Sequence, residues 1–330
     1  MSAVRGLDFH DPALEAAIRT GLDSVEAMLR SSVKSDYPFV TETSQHLVAA
    51  GGKRFRPLVV LLASQFGDPG APGVVPSAVV VELTHLATLY HDDVMDEALL
   101  RRGAASANSR WGNTVAILTG DFLFARASDI LADLGPEAVR LQARTFERLV
   151  QGQIRETVGP EAGEDPVEHY LHVVADKTGS LIGTSGRFGA MLSGAPDSAV
   201  EVLTRFGERI GVAFQLSDDV LDVMSDSVDS GKTPGTDLRE GVPTLPLLLL
   251  RRAAVTDDAD LLARLDGDLS SDAALAAVVA DLRAHPVIDR CRDVLREWAE
   301  DARQTLMPLP DVPAKAALDS LCDFVVSRIG

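Results

Sequence analysis

Apolar residues recur at three- and four-residue spacing along nearly the whole chain, and this period constrains the fold more than any other feature. It runs through residues 14–29, 79–94, 115–134 and 139–154, and again through 202–223, 273–282 and 294–306. A stripe repeating every 3.6 residues is buried on one side only when the segment is a helix. Glycine and proline clusters at 67–73, 159–166, 194–196 and 231–235 punctuate the pattern. No stretch shows sustained alternation of period two between hairpin turns. Ala, Leu and Val dominate a composition that is 46% hydrophobic but only 5% aromatic, which favours helix over a β-sandwich. No linker is long or polar enough to part independent domains. The expectation is therefore one all-α domain over residues 1–330, a bundle of roughly a dozen helices.

Inside two of the apolar stretches lies an echo: His91-Asp92-Asp93-Val94-Met95-Asp96 and Ser217-Asp218-Asp219-Val220-Leu221-Asp222. No solenoid-length period accompanies it, so it is a matched pair of sites. Each copy sets carboxylates at i, i+1 and i+4, neighbours on a helix surface, where like charges repel unless a cation neutralises them. Oxygen donors without Cys or His at ligand spacing select a hard ion, Mg2+ with Mn2+ as a substitute, over zinc. The plainer alternative is a solvated acidic face. It weakens when both clusters follow apolar runs, Leu83–Tyr90 before the first and Ile210–Leu216 before the second.

Carboxylate-held Mg2+ commonly serves a phosphate-bearing substrate. A formal net charge of -18 repels polyanions, nucleic acid included, unless local cations reverse the field. Such cations stand in compact groups near glycine: Lys53, Arg54 and Arg56, then Arg101 and Arg102, then Lys177 and Lys232. Each alone reads as a surface cation; with six carboxylates they make a constellation suited to diphosphate.

The segments GGKRFRP, HDDVMDEALLRRG, NSRWGNTVAILTGDFLFARA, KTGSL, and FQLSDDVLD followed by GKTPGTDLREG resemble, in order, the signatures of the trans-type polyprenyl diphosphate synthases. The resemblance spans residues 51–250. It implies an isoprenoid-synthase-type helical bundle around a deep central cavity, usually a homodimer. It also implies transfer of an allylic diphosphate's prenyl group onto isopentenyl diphosphate, after ionisation assisted by Mg2+. By the same resemblance, Asp92, Asp93, Asp96, Asp218 and Asp222 hold about three Mg2+ ions, with Asp219 acting through water. Arg101, Lys177 and Lys232 bind the allylic diphosphate, and Lys53, Arg56, His85 and Arg102 bind isopentenyl diphosphate. Thr178 and Gln215 lie beside the forming carbocation, and Phe214 shields it. Many relatives carry a Lys where this chain has Val242, which leaves one cation fewer near the second cluster.

Product length is read from the helix before Asp92. One turn, about 5.4 Å, approximates one isoprene unit. Successive turns meet Thr88 and Ala87, then Thr84, then Val81 and Val80. Short-chain relatives carry an aromatic ring at the first step; the small residues here point to geranylgeranyl length or longer. The alternative is that Ala87 and Thr88 simply pack against another helix.

Other functional classes fit less well. A terpene cyclase binds one diphosphate and has no use for GGKRFRP. A regulatory subunit is expected to lack one aspartate motif, and a helical scaffold leaves the cations unexplained. Cys291 and Cys322, with no CxxC spacing, read as packing residues. Without a signal-peptide core or a run long enough to span a bilayer, the chain reads as cytoplasmic.

Overall fold

The computed structural model describes residues 7–224, 234–253 and 258–329. In chain order the elements are α1 (Pro12–Ser32), α2 (Pro38–Ala49), α3 (Phe55–Ser64), α4 (Val74–Met95), β1 (Leu100–Arg101), β2 (Ala104–Ala105), α5 (Ala107–Trp111), α6 (Asn113–Leu134), α7 (Pro136–Val158) and α8 (Pro166–Val174). A π-turn, Ala175–Gly179, leads into α9 (Ser180–Leu192) and α10 (Asp197–Met224). The remainder comprises α11 (Thr236–Arg239), α12 (Leu245–Ala253), α13 (Ala259–Leu265), α14 (Asp272–Ala284), α15 (Val287–Thr305) and α16 (Pro313–Ser327). The all-α expectation holds, and every segment with helical period is a helix. Short elements such as α11 raise the number of helices above the expected dozen. Among the described residues, no helix is long and apolar enough to cross a membrane.

The chain groups into two compact units. The first takes Met1–Phe146, Leu181–Gly207 and Thr305–Ser320; the second takes Glu147–Ser180, Glu208–Gln304 and Leu321–Gly330.

In the first unit, α1 begins where Asp11 caps it, accepting from the Leu14 amide at 2.7 Å with Pro12 at the first position. It buries Leu14, Ile18, Val25 and Leu29 along one stripe. Helix α4 differs, being apolar on all sides, and Val79, Val80, Val81, Leu83, Leu86, Ala87 and Tyr90 are all fully buried. It is the unit's central helix, flanked by α1, α3 and α6. Close approach requires two glycines in α9. A Cβ on Gly189 would lie 2.1 Å from the Val60 carbonyl, and one on Gly186 would lie 2.3 Å from that of Leu203.

In the second unit, the amphipathic α15 buries Val287, Ile288, Cys291, Leu295, Ala299 and Ala302. Leu245–Leu250 of α12 form a continuous buried run. Both free cysteines are buried.

Candidate active site

Both aspartate clusters end a helix: the first closes α4, with Asp96 as its C-cap, and the second lies in the last turns of α10. A helix C-terminus carries partial negative charge, so each carboxylate there costs about 0.3–1 kcal/mol unless a cation offsets it. Sequence spacing revealed the mutual repulsion; the helix ends add to it and strengthen the demand for positive charge.

Within each cluster the middle aspartate is set apart. Asp93 is fully buried, and its Oδ1 accepts from Arg101 Nε at 2.6 Å while Oδ2 accepts from the Ala107 amide at 3.4 Å. Asp219 is likewise buried and accepts from the Tyr170 hydroxyl, from Gln215 Nε2 at 3.0 Å and from the Leu245 amide at 3.5 Å. Burial lifts its carboxyl to about 7, against the lowering pull of the Tyr170 and Gln215 hydrogen bonds. Asp93, expected as a metal ligand beside its neighbours, differs from them here in that each of its oxygens accepts a hydrogen bond within the protein. Asp92 and Asp96, one turn apart, are the accessible pair of the first cluster. Asp218 and Asp222 are the more accessible pair of the second, and the Asp222 Oδ2 also accepts from the Asp237 amide at 3.2 Å.

The first unit gathers one set of the expected residues. Arg101 and Arg102 stand on a hairpin whose strands pair Leu100 with Ala105 and Arg101 with Ala104. Its two-residue loop has both positions left-handed, Arg102 at φ 54° and Gly103 at φ 76°. Two strand residues on each side are too few for a period-two signal, so sequence periodicity does not reveal this hairpin. Asp93 and the His46 side chain, within 2.7 Å of the Ala105 carbonyl, tie it down. Arg102 donates to the Leu47 and Gly51 carbonyls. Around His85 stand the charges of Arg56, Arg102, Arg101 and Arg54, and burial together with these holds its imidazole well below the ordinary value of 6.5. His85 is therefore neutral at pH 7 amid guanidiniums, a setting that favours an anion. Lys53 is exposed beside α3.

Arg54 behaves otherwise. It is buried and left-handed at φ 52°, and it pairs with Glu26 at 3.0 Å and with the buried Glu82 at 2.8 Å. It is a strut beneath the cation group.

The residues of the expected tail path are buried in α4. Thr84 donates to the Val80 carbonyl and accepts from Gln142 Nε2, both at 2.8 Å. Val81 and Ala87 are fully enclosed, and Thr88 bonds back to His85. On α6, a Cβ at Gly120 would lie 2.3 Å from His91 Nε2 and 3.1 Å from the Ala87 carbonyl. That approach is a reason for position 120 to carry no side chain.

The second unit gathers the other set. Lys177 and Thr178 lie in the π-turn, an irregularity frequent at functional sites. Lys177 pairs with Glu156, and Thr178 donates to Gln215 Oε1 at 3.1 Å. Asp218 pairs with Arg328, whose guanidinium lies 4.7 Å from the centre of the Phe214 ring. Arg328 carries no sequence signal, standing 110 residues from its partner. It sets a positive charge beside Asp218. Lys232 lies outside the described residues. Among the described residues, no three His, Cys, Asp or Glu side chains converge into a ready-made metal cage. Mg2+ does not demand one, since it is usually held by one or two carboxylates, substrate phosphates and water. The donor set of paired, accessible, all-oxygen aspartates fits such an ion.

Comparison with known proteins places the chain among close relatives. A family model described as Polyprenyl synthetase matches residues 37–282. A nonaprenyl diphosphate synthase of Mycobacterium tuberculosis is 50% identical over 330 residues, 100% of this chain and 98% of that protein. A dimethylallyltranstransferase of the same organism is 40% identical over 96% of this chain and 97% of its own. Among solved structures, a geranylgeranyl pyrophosphate synthase from Corynebacterium glutamicum, complexed with calcium and isoprenyl diphosphate, has a TM-score of 0.87 and 45% identity. That match covers 98% of this chain and 100% of the other.

Proposed function

The chain belongs to the polyprenyl synthetase family, whose members are prenyl transferases, and from that premise we propose that it extends an allylic diphosphate with isopentenyl diphosphate to geranylgeranyl length or beyond. The observation that carries this reading is the doubled motif. Two helix C-termini each present an outer pair of aspartates and withdraw the middle one. Asp92 and Asp96, with Asp218 and Asp222, would hold Mg2+ for the allylic diphosphate. Bound there, the ion supplies electrostatic stabilisation of the departing diphosphate.

The protein's own groups do the rest. Arg101 and Lys177 bind the allylic diphosphate, with Lys232 assigned the same role on the resemblance alone. Binding replaces the carboxylate partners these two cations now hold, Asp93 and Glu156. His85, Arg56, Arg102 and Lys53 bind isopentenyl diphosphate, and the neutral imidazole offers it a hydrogen bond without adding charge. The allylic carbon–oxygen bond opens, its electron pair leaving with the diphosphate, and the double bond of isopentenyl diphosphate attacks the carbocation so formed. The Gln215 carbonyl and Thr178 stabilise that cation, and Phe214 keeps water from it. The released diphosphate takes up the final proton.

The small residues at Ala87 and Thr88 and the nonaprenyl-forming relative support the longer product. Two buried free thiols agree with a reducing, cytoplasmic setting. A homodimer is supported by α7, along which Val139, Phe146, Val150, Ile154 and Val158 are exposed at helical spacing, a stripe that suits a second copy of the chain.

The test is incubation with isopentenyl diphosphate, Mg2+ and allylic primers of increasing length, with products sized by mass spectrometry. Elongation to four or more isoprene units is expected. Absence of condensation with every primer would refute the assignment. Ala87→Phe is expected to shorten the product while the protein stays folded; an unchanged product distribution removes the proposed tail path.

A further inference from the structure

Four side chains in the second unit form an unbroken hydrogen-bonded chain of which only three belong to segments already assigned. Thr178 Oγ1 donates to Gln215 Oε1 at 3.1 Å. Gln215 Nε2 donates to Asp219 Oδ1 at 3.0 Å. The hydroxyl of Tyr170, on α8, donates to Asp219 Oδ2, the oxygen that also receives the Leu245 amide. Sequence spacing does not single out Tyr170.

The sense of this chain matters. A glutamine amide has a carbonyl end and an amino end of nearly equal shape, and its surroundings decide which way it points. Here the amino end donates to Asp219 Oδ1 and the carbonyl end receives the Thr178 hydroxyl, so the two neighbours together set the sense. Asp219 enforces that sense only while its own two oxygens are held in place. On Oδ2 the holding group is the Tyr170 hydroxyl, seconded by one long amide contact. A carbonyl oxygen turned toward the reacting centre presents the negative end of its dipole to a developing positive charge, whereas a flipped amide would present its N–H groups and oppose it.

From this geometry we infer that Tyr170 is a positioning residue for the transfer reaction, acting through Asp219 to lock the Gln215 amide with its carbonyl toward the carbocation. The inference rests on the function proposed above and adds to it a residue that does not touch substrate. It also gives the withdrawn Asp219 a task of its own, namely fixing the orientation of a dipole.

Tyr170→Phe removes the hydroxyl and keeps the ring. The expected result is a fall in kcat of about ten-fold, the worth of one lost orienting hydrogen bond, with KM for both diphosphates unchanged within about two-fold. The share of allylic primer released as prenyl alcohol is expected to rise, because a less stabilised cation is captured by water more often. Asp219→Asn, which offers the Gln215 amino group a competing donor, is expected to reproduce the effect. The double variant is expected to be no worse than the weaker single one, since both break one chain. A second readout needs neither metal nor substrate. In protein labelled with 15N-glutamine, a Gln215 side-chain amide proton held by Asp219 is shifted and slow to exchange, and both variants are expected to release it.

Unchanged kcat in folded Tyr170→Phe overturns the inference. So does a loss confined to KM, additivity in the double variant, or a Gln215 amide signal that stays put. Melting temperatures separate these outcomes from unfolding, and should Tyr170→Phe melt below the assay temperature, Asp219→Asn carries the same comparison. If the wild-type protein elongates no primer, it is the transferase reading that fails, while the amide measurement still reports on the chain of bonds.

Discussion

His85 is held neutral by its own surroundings, with burial and four neighbouring guanidiniums opposing its protonation. In the unfolded chain it takes up a proton near 6.5, so below that pH the unfolded state binds more protons and stability falls as pH drops. Between about pH 7.5 and about pH 5.5 the wild-type protein is therefore expected to lose more melting temperature than His85→Gln. Equal losses would show that His85 is not held neutral. Part of the site was legible from sequence because its chemistry sits in contiguous motifs. Spacing singles out the aspartates and the two paired arginines, whereas His85 is singled out by the family resemblance alone. Neither singles out Arg328 or Tyr170, since Arg328 meets Asp218 and Tyr170 meets Asp219 only through the tertiary fold. The inequality within each triplet was equally hidden: spacing makes all three aspartates neighbours on a helix, but burial decides that Asp93 and Asp219 turn inward.

At the scale of elements, helices were readable because their period persists for many turns, whereas the two-residue strands carrying Arg101 and Arg102 leave no such trace. Arg54 shows a subtler limit. From sequence it belongs with Lys53 and Arg56 as a ligand-facing cation; in the fold its left-handed backbone at the start of α3 turns it inward onto Glu26 and Glu82. Burial alone would raise the Glu26 carboxyl, but the Arg54 and Arg30 guanidiniums outweigh it and leave it below its ordinary value. Removing Arg54 leaves Glu82 buried without its partner, which costs about 3–5 kcal/mol. Arg54→Met is therefore expected to lower the denaturation midpoint strongly, and Arg56→Met, at a position assigned to substrate, to change it little. The reverse order in a urea titration would contradict the strut assignment.

For the whole molecule, composition and period established the all-helical class, but they did not foretell the division of contacts into two compact units, because helices α7 and α10 run without interruption through the boundaries between them. The exposed stripe on α7 belongs to this scale too. Val150→Asp with Ile154→Asp places two charges on it, which a second copy of the chain cannot bury without cost. Sedimentation is expected to show dimer for the wild type and monomer for the variant. A variant that still sediments as a dimer would remove α7 from the interface, and a monomeric wild type would remove the dimer.

The central claim is that the two outer aspartate pairs serve one diphosphate through divalent cations. It is tested most directly by calorimetric binding of an inert allylic thiodiphosphate, with and without Mg2+, to the wild type, Asp92→Ala, Asp218→Ala and the double variant. The account predicts Mg2+-dependent binding to the wild type, a loss of about ten-fold or more in each single variant, and a double variant far less impaired than the product of the two. Tight Mg2+-dependent binding that survives either single substitution unchanged would contradict it.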